Sequence, residues 1–143
     1  LENSDSSAAS FEVELVKKSG YEYGDFGLLY RAQDSTHYYI VSIDIRGSFC
    51  VKRRSGDSVV DIVPWTSSPS LVAGYGASNS VKLTPSGAKA FGLYLNGKLE
   101  RTVDGLSEGA YSGGRNGLFL YVGTAAYETF PAAPVDVYYR IAK

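Results

Sequence analysis

From Gly27 to Ile43 apolar and polar positions alternate, with one break. Leu28 and Tyr30 share one parity; Leu29 and Arg31 share the other. After the polar run Gln33-Asp34-Ser35-Thr36-His37, a second alternation sets Tyr39, Val41 and Ile43 against Tyr38, Ile40, Ser42 and Asp44. Successive side chains of a strand point to opposite faces, so one row of each pair meets a core and the other meets water or a ligand. The pattern predicts an antiparallel hairpin. The same period recurs in Phe11, Val13 and Leu15 against Glu12 and Glu14, and in Phe91, Leu93 and Leu95 against Tyr94. No stretch shows the 3.6-residue period of a long amphipathic helix.

Ten strands are expected: Phe11–Lys18, Asp25–Ala32, Tyr38–Ile45, Ser48–Arg54, Val59–Val63, Ser80–Thr84, Lys89–Leu95, Leu99–Val103, Gly117–Val122 and Val135–Ile141. Turn chemistry separates them. Asn96-Gly97 tolerates the positive φ of a two-residue type I′ hairpin. Ser55-Gly56-Asp57, Arg46-Gly47 and Pro85-Ser86-Gly87 supply further reversals. Short strands with turn signals at this spacing predict an all-β, two-sheet antiparallel sandwich with little or no helix. Residues 1–10 are small and polar and read as a flexible lead-in, with one domain over 11–143.

Composition narrows the functions. Net charge is −1, from 14 basic and 15 acidic residues, and this balance argues against nucleic acid as a partner. Lys52-Arg53-Arg54 is the main basic cluster and reads as a solvated hairpin end. The single cysteine, Cys50, excludes an internal disulfide and a Cys-x-x-Cys metal site, and is expected to pack. No apolar run reaches the roughly 18 residues of a membrane span. The chain holds no methionine, which fits a processed or excised piece of a longer product.

Chemistry-bearing residues are few. Glu12-x-Glu14 places two carboxylates on one strand face, but they read as solvent-facing charges; a retaining glycosidase needs two carboxyls about 5 Å apart. His37 is the lone histidine and sits in a turn. No nucleophile elbow or phosphate-cradling glycine loop accompanies it. Trp65, the only tryptophan, stands in the longest irregular stretch, Pro64 to Asn79, and is expected to plug one end of the sandwich. Strand parity leaves Arg31, Tyr38, Lys52, Arg54 and Tyr94 on non-core rows, beside Ser42 and Asp44. On one sheet face they would suit a sugar, whose C–H face packs on a ring while its hydroxyls need polar partners. An ordinary polar outer face fits the same rows, and Asp34 with Arg31 fits an ion pair at the hairpin end as well as a ligand contact.

Gly27-Leu-Leu-Tyr-Arg-Ala-Gln-Asp34, Tyr38-Tyr39, Gly47-x-Phe49, Trp65-Thr-Ser-Ser, Gly74, Asn79-x-Val81-x-Leu83, Leu93-Tyr94-Leu95-Asn96-Gly97 and Gly117-Leu118-Phe119 stand in a familiar order. Together they resemble the laminin-G-like, concanavalin A-like jelly-roll domains of bacterial exported proteins. The nearest pattern is that of the 3-keto-disaccharide hydrolase-like domain of unknown function. The resemblance covers roughly Phe11 to Ile141 and departs ahead of Phe11, where the family has a further strand pair. It implies a jelly-roll sandwich in an extracellular or cell-surface protein, acting as a non-catalytic carbohydrate-binding module. The expected partner is a glycan or cell-surface polysaccharide. The alternatives are a structural or adhesive domain that docks another protein and, last, a glycoside hydrolase-like enzyme. No cofactor is expected; calcium is left open but is indicated by no motif. The pattern also puts an Asn at position 79, expected to satisfy the backbone of the Gly74–Ser78 loop.

Overall fold

Alternation beginning at Phe11 forces a row of apolar side chains to one side of each strand, and two such surfaces bury each other. The computed structural model describes residues 10–20, 22–104, 106, 111–120 and 136–142. The strands are β1 (Phe11–Ser19), β2 (Phe26–Asp34), β3 (His37–Ile43), β4 (Ser48–Ser55), β5 (Ser58–Ser67), β6 (Ser78–Pro85), β7 (Phe91–Leu95), β8 (Lys98–Val103), β9 (Arg115–Leu120) and β10 (Asp136–Ile141). All pair antiparallel, in two five-stranded sheets ordered β10-β1-β6-β7-β8 and β5-β4-β3-β2-β9. The result is the expected jelly-roll sandwich, with no helix among the described residues. Residues 1–9 of the expected lead-in, and positions 121, 122 and 135 of the expected last two strands, lie outside the described residues.

The core is built from the predicted rows. Val13 and Leu15 of β1, Val81 and Leu83 of β6 and Leu93 of β7 face Leu28, Val41, Ile43, Phe49 and Val51 of the other sheet. Tyr30 meets Phe91 edge-on at 5.0 Å between ring centroids, and Tyr39 meets it at 5.6 Å. Each buried side chain of this kind contributes roughly 1.5–3 kcal/mol.

The Asn96-Gly97 tip behaves as its chemistry dictates. Leu95 pairs with Lys98, and Asn96 and Gly97 take φ of 51° and 81°. The Asn96 side chain also accepts from Ser80 N at 2.7 Å and donates to Ser70 O at 2.7 Å. Asn79 is buried and structural, as expected, but it serves Val72, two residues before the predicted loop. It accepts from Val72 N at 2.8 Å and donates to Val72 O at 3.0 Å. Residues 68–77 are pinned in turn: Ser68 N donates to Gly47 O, Gly74 N to Ile45 O and Gly76 N to Lys17 O.

Two expectations fail at β5. Pro64 does not end the strand, and Trp65 does not plug the core: it is 41 % exposed. β5 is an edge strand, where a missing N–H costs no ladder bond. Between the pairs Phe49↔Thr66 and Val51↔Val63 the edge carries one extra residue, so Pro64 and Trp65 together oppose Cys50. This bulge turns Trp65 to the outside.

Candidate functional site

The five side chains placed together by strand parity do not share a face. Tyr38, Lys52 and Arg54 do: they lie on β3 and β4, on the outer side of one sheet. Tyr94 lies on β7, in the other sheet, opposite Lys82, whose ammonium sits 4.5 Å from its ring centroid. Arg31 is turned inward and only 3 % exposed. Its guanidinium donates to the carbonyls of Gly87 (3.1 Å), Ala88 (3.2 Å), Ala90 (3.3 Å) and Tyr111 (3.2 Å), and rests against Tyr30 and Phe91.

The cause is local. The register of β2 against β3 slips between Tyr30 and Asp34, and Arg31 adopts φ of 51°. A bulge resets the in–out count, so parity carried past it assigns the wrong side. A non-glycine residue there stores about 1–3 kcal/mol of strain, which the four carbonyl bonds offset. Nor does Arg31 pair with Asp34. Asp34 accepts from Thr36 N at 2.8 Å and meets His37 Nδ1 at 2.8 Å, and these contacts hold its carboxyl below the ordinary value.

The outer face of the β5-β4-β3-β2-β9 sheet nevertheless carries a site. One register row crosses it as Phe119, Gly27, Ser42 and Cys50. Its three inner members are small, so the surface drops between Phe119 at one end and the bulged Trp65 at the other. Gly27 has no alternative here, because an added Cβ would collide with the Val41 carbonyl oxygen. The next row holds Ile40, Lys52 and Asp61, and the one beyond it Tyr38, Arg54 and Val59. Around the depression stand Tyr23, Asp25, Arg46, Lys52, Trp65 and Phe119, with Ile40 and Val59, enclosing about 440 Å³. This is within the range of small-molecule sites. Tyr38 and Arg54 lie beside it and close on each other, Arg54 Nη1 donating to Tyr38 Oη at 2.9 Å.

The polar groups of the cleft differ in how they are held. Arg46 lies 4.6 Å from the Tyr23 ring centroid and donates through Nε and Nη2 to Asp44 Oδ2, at 3.1 and 2.8 Å. Asp44 in turn caps the turn, accepting Arg46 N and Ser48 N at 3.0 Å each. Asp25 is 9 % exposed. Burial raises its carboxyl above the usual value, while Ser42, its own backbone, Lys52 and Lys17 pull it partly back. Beneath the cleft, burial pushes the Cys50 thiol up to about 12, as a packed residue would be. Lys52 is half-buried and donates no hydrogen bond to any described residue.

The opposite outer face offers a contrast. Glu12 and Glu14 project from β1 beside Ser78, Ser80, Asn96 and Arg140, in a smaller depression of about 320 Å³. Ser80 Oγ donates to Glu12 at 2.6 Å and Ser78 Oγ to Glu14 at 2.5 Å, and Arg140 pairs with Glu14. Among the described residues no three His, Cys, Asp or Glu side chains cluster as metal ligands would. No described helix is long and apolar enough to cross a membrane.

Neither a family model nor a curated protein matches the sequence. Among solved structures the fold is similar to that of a carbohydrate-binding module, CBM66, from Bacillus subtilis. The TM-score is 0.62 at 18 % identity, over 76 % of this chain and 64 % of that one. The chain thus spans just under two thirds of that module, and the likeness is one of fold.

Proposed function

We propose that the protein is a non-catalytic carbohydrate-binding domain whose site is the cleft among Tyr23, Asp25, Lys52, Trp65 and Phe119. The observation that carries this is the bulge in β5. It exposes the only tryptophan at the rim of a depression that also holds a carboxylate and an ammonium. A sugar ring needs both kinds of surface. Its C–H face would pack on the Trp65 indole, removing on the order of 40–80 Å² of apolar surface from water, or roughly 1–2 kcal/mol. Its hydroxyls would accept from Lys52 Nζ and donate to Asp25. Similarity of fold to a carbohydrate-binding module supports the same assignment. An open cleft with one main ring predicts a Kd in the ~µM to mM range, about −8 to −4 kcal/mol. An exported or cell-surface setting and the laminin-G-like kinship belong to this proposal, carried by the order of the sequence motifs.

A glycan array on the isolated chain, followed by titration of Trp65→Ala and Lys52→Ala, tests the assignment. Both variants should keep the fold and lose affinity, Trp65→Ala the more. The second reading is docking of another protein along edge strand β5, where Val59 and Val60 are 53 % and 51 % exposed. Binding of no glycan at millimolar concentration would put that reading first.

A further inference from the structure

We propose that the glycan taken by this cleft is acidic: its ring carries a carboxylate or a sulfate ester that pairs with Lys52. The inference rests on the cleft being a sugar site and goes on to name the class of sugar.

What carries it is the contrast between Lys52 and the cations that the fold holds. Lys89, Lys98, Arg101 and Arg115 also have no partner among the described residues, but they are exposed to solvent and line no part of the cleft. Arg31 is capped by four carbonyls, Arg54 by Tyr38 and Gly56, Arg46 by Asp44 and Arg140 by Glu14. Lys17 donates to Gly24 O at 2.7 Å, and Lys82 lies over the Tyr94 ring. Lys52 is half-buried at the cleft wall, yet its ammonium has no hydrogen-bond acceptor and no ion-pair partner among the described residues. Its cross-strand neighbour is Asp61 on β5, but the second register slip, between Val51 and Lys52, lies next to that pair and no ion pair forms.

The single carboxylate lining the cleft, Asp25, is only 9 % exposed; Lys52 is near enough to favour its charged form, but the two make no ion pair. At the rim, Arg46 spends Nε and Nη2 on Asp44, Nη1 donates to no described residue, and the guanidinium lies 4.6 Å from the Tyr23 ring centroid. Two cationic donors therefore line the cleft with bonding capacity left, beside one acid that is nearly buried. A neutral sugar would use Lys52 as one hydrogen-bond donor among several. An anionic substituent would use its charge as well, in a partly enclosed site where screening is weaker than on open surface.

The test is calorimetric titration of the intact chain at low and at physiological salt. The probes are oligogalacturonate and its full methyl ester, a chondroitin sulfate oligosaccharide and its desulfated form, and a panel of neutral oligosaccharides. Each neutralised partner keeps the ring and removes one source of charge, so the two pairs separate carboxylate from sulfate recognition. The expected result is that at least one acidic probe binds about tenfold or more tightly than its neutralised partner. That preference should shrink with added salt and vanish in Lys52→Gln, while Trp65→Ala weakens binding of both partners. Equal binding of acid and neutralised forms, or a preference that survives Lys52→Gln, overturns the proposal. If Trp65→Ala still abolishes that binding, the cleft remains a sugar site of another class. Binding that ignores Trp65→Ala, or no binding of any probe, overturns the sugar site itself. Thermal melts of each variant confirm that it is folded.

Discussion

The two outer faces of this sandwich are built from the same materials and differ in what their polar groups hold. On the β10-β1-β6-β7-β8 sheet the charges around the depression and at Tyr94 are spent internally: Glu12 on Ser80, Glu14 on Ser78 and Arg140, Lys82 on the Tyr94 ring. On the β5-β4-β3-β2-β9 sheet Lys52 has no acceptor among the described residues, Asp25 is buried at a cost, and Trp65 and Tyr23 show their rings to solvent. A polar side chain already satisfied by its neighbours has little to offer a ligand, since binding would exchange one hydrogen bond for another. Capacity to bind is concentrated where the fold leaves groups unpaired. Removing a satisfied group should therefore cost stability and spare binding. Removing an unsatisfied one should do the reverse.

The largest effect is expected at Arg31. Arg31→Ala takes the donor from four carbonyls and leaves a void beside Phe91, and should lower stability by about 3 kcal/mol. Urea melts check this, and glycan affinity of the folded fraction should not change. A loss of binding with no loss of stability would return Arg31 to the ligand site.

Asn79→Ala comes next. It frees Val72 N and O and one contact to Asn96, for an expected loss of roughly 1–3 kcal/mol in the same melts.

A smaller effect, of opposite sign, belongs to Asp25. Its folded-state carboxyl titrates above the unfolded value, chiefly because it is buried. Relative to a neutral side chain, its contribution is therefore fully present below the unfolded value near 3.8 and lost as pH rises through the raised folded value. Asp25→Asn should match the parent at the acid end and gain a small stability at neutral pH, while weakening glycan binding. A difference curve of melting temperature against pH isolates this from Asp34, which is shifted the other way. A flat difference curve would mean that burial of Asp25 carries no penalty.

The strand pattern was largely legible because period-two alternation is local, and ten strands with their turns follow from it. The partition of strands between sheets is not local. Tyr94 and Tyr38 have equivalent parity in their own strands, and nothing in either strand says that β7 joins β6 while β3 joins β2. Parity also fails across a bulge, and both bulges that matter here are hidden in ordinary sequence. At Arg31 no glycine flags the positive φ. At Pro64-Trp65 the proline reads as a stop, because its tolerance depends on β5 being an edge. Lys52 was found because its strand runs unbroken from Phe49. Tyr23 and Phe119 were missed as site residues because they reach the cleft from a turn and from the opposite edge strand.

The contrast between the faces can be tested most directly through the indole itself. Trp65 is the only tryptophan, so intrinsic fluorescence reports on one rim of one cleft. Titration with a glycan that the chain binds should shift Trp65 emission and shield it from acrylamide, with the same Kd that calorimetry gives. Tyr94→Ala, on the other face, should leave that titration unchanged and move stability by less than about 0.5 kcal/mol. Binding that leaves Trp65 emission and quenching untouched, or that disappears in Tyr94→Ala, would contradict the assignment of the site to this face.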